Sequence, residues 1–287
     1  LIEKIRLNMI SESLKLDHIA INVKDNMDEA YELFSQLGFI LTPRGYHSLG
    51  SINHSMVFNN NYLELIGNQK GKPINRPELK NAALGINGLV FKTNNVQRIY
   101  EHLVDINFEQ DAPRSFNRPV FIDDIENKAM FETVSVKANI FKAGRVYYCN
   151  HLTPYLVWVP RYMKHPNTSF GIEEIVMIDD EPKSISNKFT KISKKLKIKT
   201  SSNQISLKTK DISISIVHTE IFKKHYQNII SEMKLMPSMF GAVKIKTKSF
   251  DFINNIKSKT FKKIIKFEEK DKVQIFIKDF NFILEFI

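Results

Sequence analysis

Cysteine occurs once in this 287-residue chain, as Cys149. That excludes an intrachain disulfide and fits a reducing compartment. No apolar run approaches the ~18–20 residues needed to cross a bilayer, so no membrane partner is expected. The opening residues 1–15 mix Glu, Lys, Arg and Asn and do not read as a secretory signal. A cytoplasmic location is the expectation that follows. No Gly-x-Gly-x-x-Gly or phosphate-loop spacing occurs, which removes the common Gly-rich nucleotide sites. Arginine is missing from residue 162 onward, although the chain is strongly basic.

The net charge of +11 is unevenly placed. Residues 1–161 hold 10 Lys and 8 Arg against 17 acidic residues, whereas residues 162–287 hold 24 Lys against 14 acidic residues. Arginine is the usual reader of phosphate forks and base edges. A basic half without it reads as a lysine-coated surface, so no nucleic-acid partner is expected. Overall composition, 43% hydrophobic and 25% charged, is that of a globular chain with ample core.

The apolar pattern gives an order of elements. Leu16–Val23 alternates as a strand, with Asp17 sharing a register with Ile19, Ile21 and Val23, and His18 in the opposite one. Met27–Leu37 has helical spacing and Gly38 as a stop. Strands are predicted at Phe39–Thr42, His54–Phe58 and Tyr62–Ile66, the last two as a hairpin. The order recurs: a strand at Gly88–Thr93, a helix at Val96–Val104, and strands at Ile106–Glu109, Phe131–Val136 and Arg145–His151. A third copy begins at Glu173–Ile178, with a helix at Ile185–Leu196 and strands at Gln204–Lys208 and Ile212–His218. A fourth begins at Ala242–Thr247, with a helix at Phe250–Ser258 and strands at Val273–Ile277 and Phe282–Phe286. Repetition at roughly 70-residue intervals predicts an α+β fold of four βαβββ modules. Pro160–Ser169 is the best boundary, giving domains at 14–160 and 168–287. Runs of strands argue against a doubly wound parallel sheet.

Particular words resemble a known superfamily. Leu16-Asp17-His18-Ile19-Ala20-Ile21 and Leu37-Gly38-Phe39 look like the opening of a vicinal oxygen chelate (VOC) module. Thr42-Pro43-Arg44-Gly45, His47, Gly50, Asn53-His54 and Tyr62-Leu63-Glu64-Leu65-Ile66 resemble a glyoxalase-like branch of it. So do His151-Leu152-Thr153-Pro154, Leu156-Val157-Trp158 and His165-Pro166-Asn167. The resemblance covers about residues 14–178. It implies paired modules, as in glyoxalases, bleomycin-resistance proteins and extradiol dioxygenases, enclosing a cleft in the first domain and a degenerate second pair.

The same resemblance implies metal ligands on first and fourth strands, which puts His18 and Glu64 at ligand positions. Both lie opposite apolar faces, so both should point into the cleft. Imidazole plus carboxylate suits Fe²⁺, Mn²⁺, Zn²⁺ or Ni²⁺. Gly88 stands where the second module should supply a ligand, and His151 is the candidate replacement, giving a His18–Glu64–His151 set. Arg44, His47, His54 and Arg118 are candidate substrate contacts, a guanidinium being suited to a carboxylate or phosphate. Phe116, Tyr148 and Trp158 are candidate cleft or core aromatics. Two functions follow. One is an enzyme acting on a small oxygenated, anionic metabolite through metal-assisted isomerase, lyase or dioxygenase chemistry. The other is a metal-free small-molecule binding protein, motivated by Gly88. A homodimer is compatible with either.

Overall fold

A computed structural model describes residues 13–73, 76–256 and 262–287. The residues 1–12 of the opening segment and 257–258 of the predicted fourth-module helix lie outside the described residues.

The first module runs β1 (Leu16–Lys24), α1 (Met27–Gln36), β2 (Gly45–Tyr46), β3 (Ile52–Val57) and β4 (Tyr62–Gly67). After a short helix α2 (Pro77–Lys80), the second runs β5 (Gly85–Lys92), α3 (Val96–Asp105), β6 (Arg114–Ile122), β7 (Ile125–Ser135) and β8 (Arg145–His151). The two join into one eight-stranded sheet of order β2-β3-β4-β1-β5-β8-β7-β6. Within each module the first strand pairs parallel with the last, and β1 meets β5 antiparallel at the seam. The outer strands curl toward each other, with the Ser48 N–H donating to the Asn117 carbonyl at 2.9 Å.

The pattern repeats in β9 (Ser169–Asp179), α4 (Pro182–Ile192), β10 (Lys197–Ser201), β11 (Gln204–Lys208), β12 (Ser213–Val217) and α5 (Thr219–His225). It continues in β13 (Ser238–Thr247), α6 (Asp251–Asn254), β14 (Ile264–Glu268), β15 (Val273–Ile277) and β16 (Phe282–Phe286). Their order, β10-β11-β12-β9-β13-β16-β15-β14, is the first sheet's order again. The α+β fold of four modules in two pairs is therefore the observed one.

One apolar core runs across both pairs. Helix α1 buries Met27, Ala30, Leu33 and Phe34 on one stripe, the spacing an amphipathic helix requires. Phe34 stacks toward Phe282, and Phe39 toward Phe286, across the boundary. The linker is pinned as well. His165 accepts from the Ile40 N–H through Nδ1 and donates to the Val57 carbonyl through Nε2. Asn167 donates to the Leu37 carbonyl at 2.8 Å.

The inner faces of the two sheets differ. In the second, Phe222, Tyr226, Ile229 and Met233 pack onto Val176, Ile178, Ala242 and Ile283 and fill the concavity. Beside this plug, Lys244 on β13 reaches Glu174 at 3.3 Å and Glu285 at 3.5 Å. Gln274 and His225 also donate to Glu285. The first sheet's concavity stays open.

Several predicted elements need correction. Phe39–Thr42 forms no strand: Thr42 bonds Ser55, and Pro43 then has no N–H to continue a ladder. Ile106–Glu109 reduces to one bridge, Glu109 to Val136, because Asn107 turns the chain with φ 59°. Strands β6, β10 and β14 and helix α5 were not predicted, and the helix expected to Leu196 ends at Ile192.

Candidate functional site

Strand β1 slips register against β5 between Leu16 and His18. Such a bulge lets consecutive side chains share a face. Asp17 thereby leaves the apolar register expected for it and joins His18. Its Oδ2 accepts from His18 Nδ1 at 2.7 Å and from His151 Nε2 at 2.8 Å. Burial would raise the Asp17 carboxyl, but His151 and His18 together hold it well below the usual carboxylate range. Lys92, lying 3.8 Å above the Trp158 ring, approaches the other oxygen to 3.8 Å.

With Nδ1–H given to Asp17, His18 presents the Nε2 lone pair to the cleft. The Tyr147 hydroxyl lies 3.1 Å from it and Glu64 Oε2 3.5 Å. Tyr62 stacks on the ring at 4.5 Å. Glu64 accepts from Asn53 Nδ2 at 2.7 Å. Burial pushes its carboxyl up, and His18, His47, Asn53 and Arg118 more than offset this, so it sits below the ordinary value. Burial keeps the Tyr147 phenol protonated. The cleft around these groups has a volume of about 610 Å³.

The expected site residues separate into two groups. His18, Glu64, His47 and Arg118 line the cleft; Arg44 and His54 do not. His54 alternates with the inward Asn53 and Ser55, so it faces α1, where it donates to the Thr42 carbonyl and packs on Tyr31. Arg44 is held by Asp28 and by His54. His151 is likewise not beside Glu64; it reaches His18 only through Asp17. Phe116 lines the cleft, while Tyr148 lies in the core. His47 is held neutral, burial lowering it to about 4. Its Nδ1 faces the Ser51 hydroxyl at 2.8 Å. That oxygen also accepts from Arg76.

Asp17, Tyr147 and Asn53 were not among the expected site residues, whereas Arg145, one of the arginines expected near the cleft, lines it. Tyr147 had a signal: on β8 it stands where Glu64 stands on β4, two residues beyond the strand position paired with Gly88 or His18. Gly88 itself has no room for a ligand, since a Cβ there would lie 2.9 Å from the Ala20 Cβ.

Two donor sets could hold a metal. Asp17, Cys149 and His151 bring ligand atoms within 4.8 Å of one another, and Asp17 Oδ1 and His151 Nδ1 are buried there without a hydrogen-bond partner. His18 and Glu64, with Tyr147 adjacent, form the second set. It has the arrangement metal-ligating histidines favour, the remote ring N–H held by a carboxylate, and it opens on the cleft.

A family model described as a glyoxalase-like domain matches residues 16–192. No curated protein matches the sequence. Among solved structures, a hypothetical protein from Staphylococcus aureus is similar at 16% identity and TM-score 0.67, covering 96% of this chain and 99% of that one. A xylose isomerase-like TIM barrel/4-hydroxyphenylpyruvate dioxygenase fusion protein is similar at 8% identity and TM-score 0.57, covering 96% of this chain and 49% of that one. A mutant of 4-hydroxymandelate synthase from Streptomyces coelicolor is similar at 9% identity and TM-score 0.50, covering 96% and 92%. At these identities the likeness is one of fold.

Proposed function

Since the chain belongs to the glyoxalase-like domain family, we propose that its first-sheet cleft is a metal-assisted proton-transfer site, of isomerase or lyase type, for a small oxygenated and anionic metabolite. The observation that carries this is His18: Nδ1 fixed by Asp17, Nε2 open to the cleft beside Glu64.

His18 Nε2 and Glu64 would hold a divalent ion of the Fe, Mn, Zn or Ni kind. Bound there, it would act as a Lewis acid on neighbouring substrate oxygens. Glu64, kept ionised, is the group to accept a proton from carbon. Tyr147, kept protonated, is the donor for an oxygen that gains charge. Tyr62 and Phe131 wall the site against water. Ring-opening with dioxygen fits less well, because the two-histidine, one-carboxylate set it needs would require His151, which Asp17 holds.

The test is anaerobic calorimetric titration of metal-stripped protein with Mn²⁺, Fe²⁺, Zn²⁺ and Ni²⁺. One equivalent should bind, and His18→Ala or Glu64→Gln should each weaken it by at least about tenfold. Binding of less than ~0.1 equivalent of every ion would overturn the metal assignment. Gly88 favours a second reading, a metal-free small-molecule binding protein, because it removes one ligand position and leaves no space to restore it.

A further inference from the structure

Arg118 sits at the middle of β6, 6% exposed, with its side chain in the cleft wall. Among the described residues it has no hydrogen-bond acceptor and no ion-pair partner within 4.0 Å; its guanidinium lies 6.0 Å from the Phe131 ring, and its charge is felt at Glu64 without contact. Each of the other cleft arginines has at least one partner, although Arg145 Nη2 is buried without one. Arg76 bonds Glu78 and Ser51, Arg114 pairs with Asp111 at the rim, and Arg145 donates to Asn87 through Nε. A buried guanidinium has five N–H donors and cannot shed its charge, so leaving it unpaired is costly. Natural sequences keep such a cost mainly where a ligand removes it.

The wall is net cationic and suits an anion: Arg76, Arg114, Arg118, Arg145 and Lys142 face the carboxylates of Glu64, Glu78 and Asp111. The ground beside Arg118 is apolar and flat: Phe116 and Phe131 stack at 5.1 Å. Its bed is cut for it too. A Cβ on Gly45 would lie 2.9 Å from Arg118 Cδ and 2.2 Å from Asn53 Oδ1.

We propose that the ligand of this cleft carries a carboxylate, gripped by Arg118 in a two-pronged hydrogen bond, and a flat apolar portion lying on Phe116 and Phe131. The inference rests on the reading of the cleft as a small-molecule site and specifies what that molecule must present. A carboxylate matches the fork of a guanidinium. The stacked rings beside the guanidinium favour a carboxylate carried on a planar group over a free phosphate.

The test is calorimetric titration of the full chain with benzoate, benzamide and inorganic phosphate, in the presence of a chelator. With metal removed, the result is independent of whether His18 and Glu64 bind an ion. Benzoate should bind at least about tenfold tighter than its neutral isostere benzamide, and tighter than phosphate. Arg118→Met should abolish the preference for benzoate and raise the melting temperature, since it removes an unpaired buried charge. Gly45→Ala, which keeps every charge but displaces the guanidinium, should weaken benzoate binding. The proposal is overturned if phosphate binds better than benzoate. It is overturned equally if Arg118→Met keeps the wild-type ratio of benzoate to benzamide, or if that variant melts lower, as it would were Arg118 a structural residue.

Discussion

Asp17 accepts from two imidazoles through one oxygen, so a single carboxylate fixes the orientation and the tautomer of both His18 and His151. Asp17→Asn keeps the volume but weakens the acceptor. Divalent-ion affinity at His18 should fall by about 10–100-fold with stoichiometry unchanged; an unaltered affinity in titration would show that Asp17 does not position the ligand. His18 and Glu64 were legible in the sequence because each is a polar residue interrupting an apolar alternation. Asp17 was not, because a bulge changes which face a residue takes without changing its neighbours. Arg44 and His54 show the reverse: both lie in words that resemble the family, yet His54 has a strand register that faces the helix and Arg44, just before β2, pairs with Asp28 on α1.

At the scale of elements, strands with a clean period of two were readable, and the edge strands β6, β10 and β14 were not. Strand β6 carries Asn117, Arg118 and Pro119, a run that resembles a loop because its inward face borders the cleft instead of an apolar core. The linker shows a second limit. Pro160–Ser169 looked like a boundary by composition, yet His165 is buried between Phe39 and Phe58 and bonds backbone on two segments. Burial lowers His165 to about 4, and His47 likewise. Both folded values lie below the ordinary histidine value of 6.5. Their contribution to stability is therefore complete above that pH and declines as pH falls toward about 4. The upper bound is roughly 3 kcal/mol for each. Denaturant melts should lose stability progressively below pH 6.5, and His165→Gln should flatten that slope. His165→Ala should cost roughly 2–4 kcal/mol, since it orphans the Ile40 N–H and the Val57 carbonyl; a change under ~0.5 kcal/mol would contradict the linker's role as a latch.

At the scale of the molecule, two sheets of the same strand order have different interiors. Fourfold repetition was visible in the spacing of strands and helices, but the contrast between an open and a filled concavity was not. It depends on α5 and residues 226–233, whose packing partners lie far along the chain. Lys244→Met should destabilise the protein by about 3 kcal/mol, because Glu174 and Glu285 would face each other without their shared cation. His225, Lys244 and Gln274 together bring Glu285 down to about 2, against the opposing effect of burial. Its share of stability is therefore present above pH 4.5 and is lost as pH falls toward about 2. Lys244→Met should remove part of that acid limb, the His225 hydrogen bond keeping the rest, as followed by melts across pH.

No helix among the described residues is long and apolar enough to cross a membrane. The lysine excess of the second half is in part internal wiring, since Lys244 and Lys246 pair with Glu174 and Glu173. In Lys244 that wiring takes a distinctive form: a cation tethered by its own backbone. A dissociable ion can be withdrawn by a chelator or outcompeted by another; an ammonium four carbons from the main chain cannot. The second sheet therefore keeps its charge balance in any metal environment. Adding or chelating a divalent ion should therefore leave hydrogen exchange in β9, β13 and β16 unchanged, whatever it does in the first cleft.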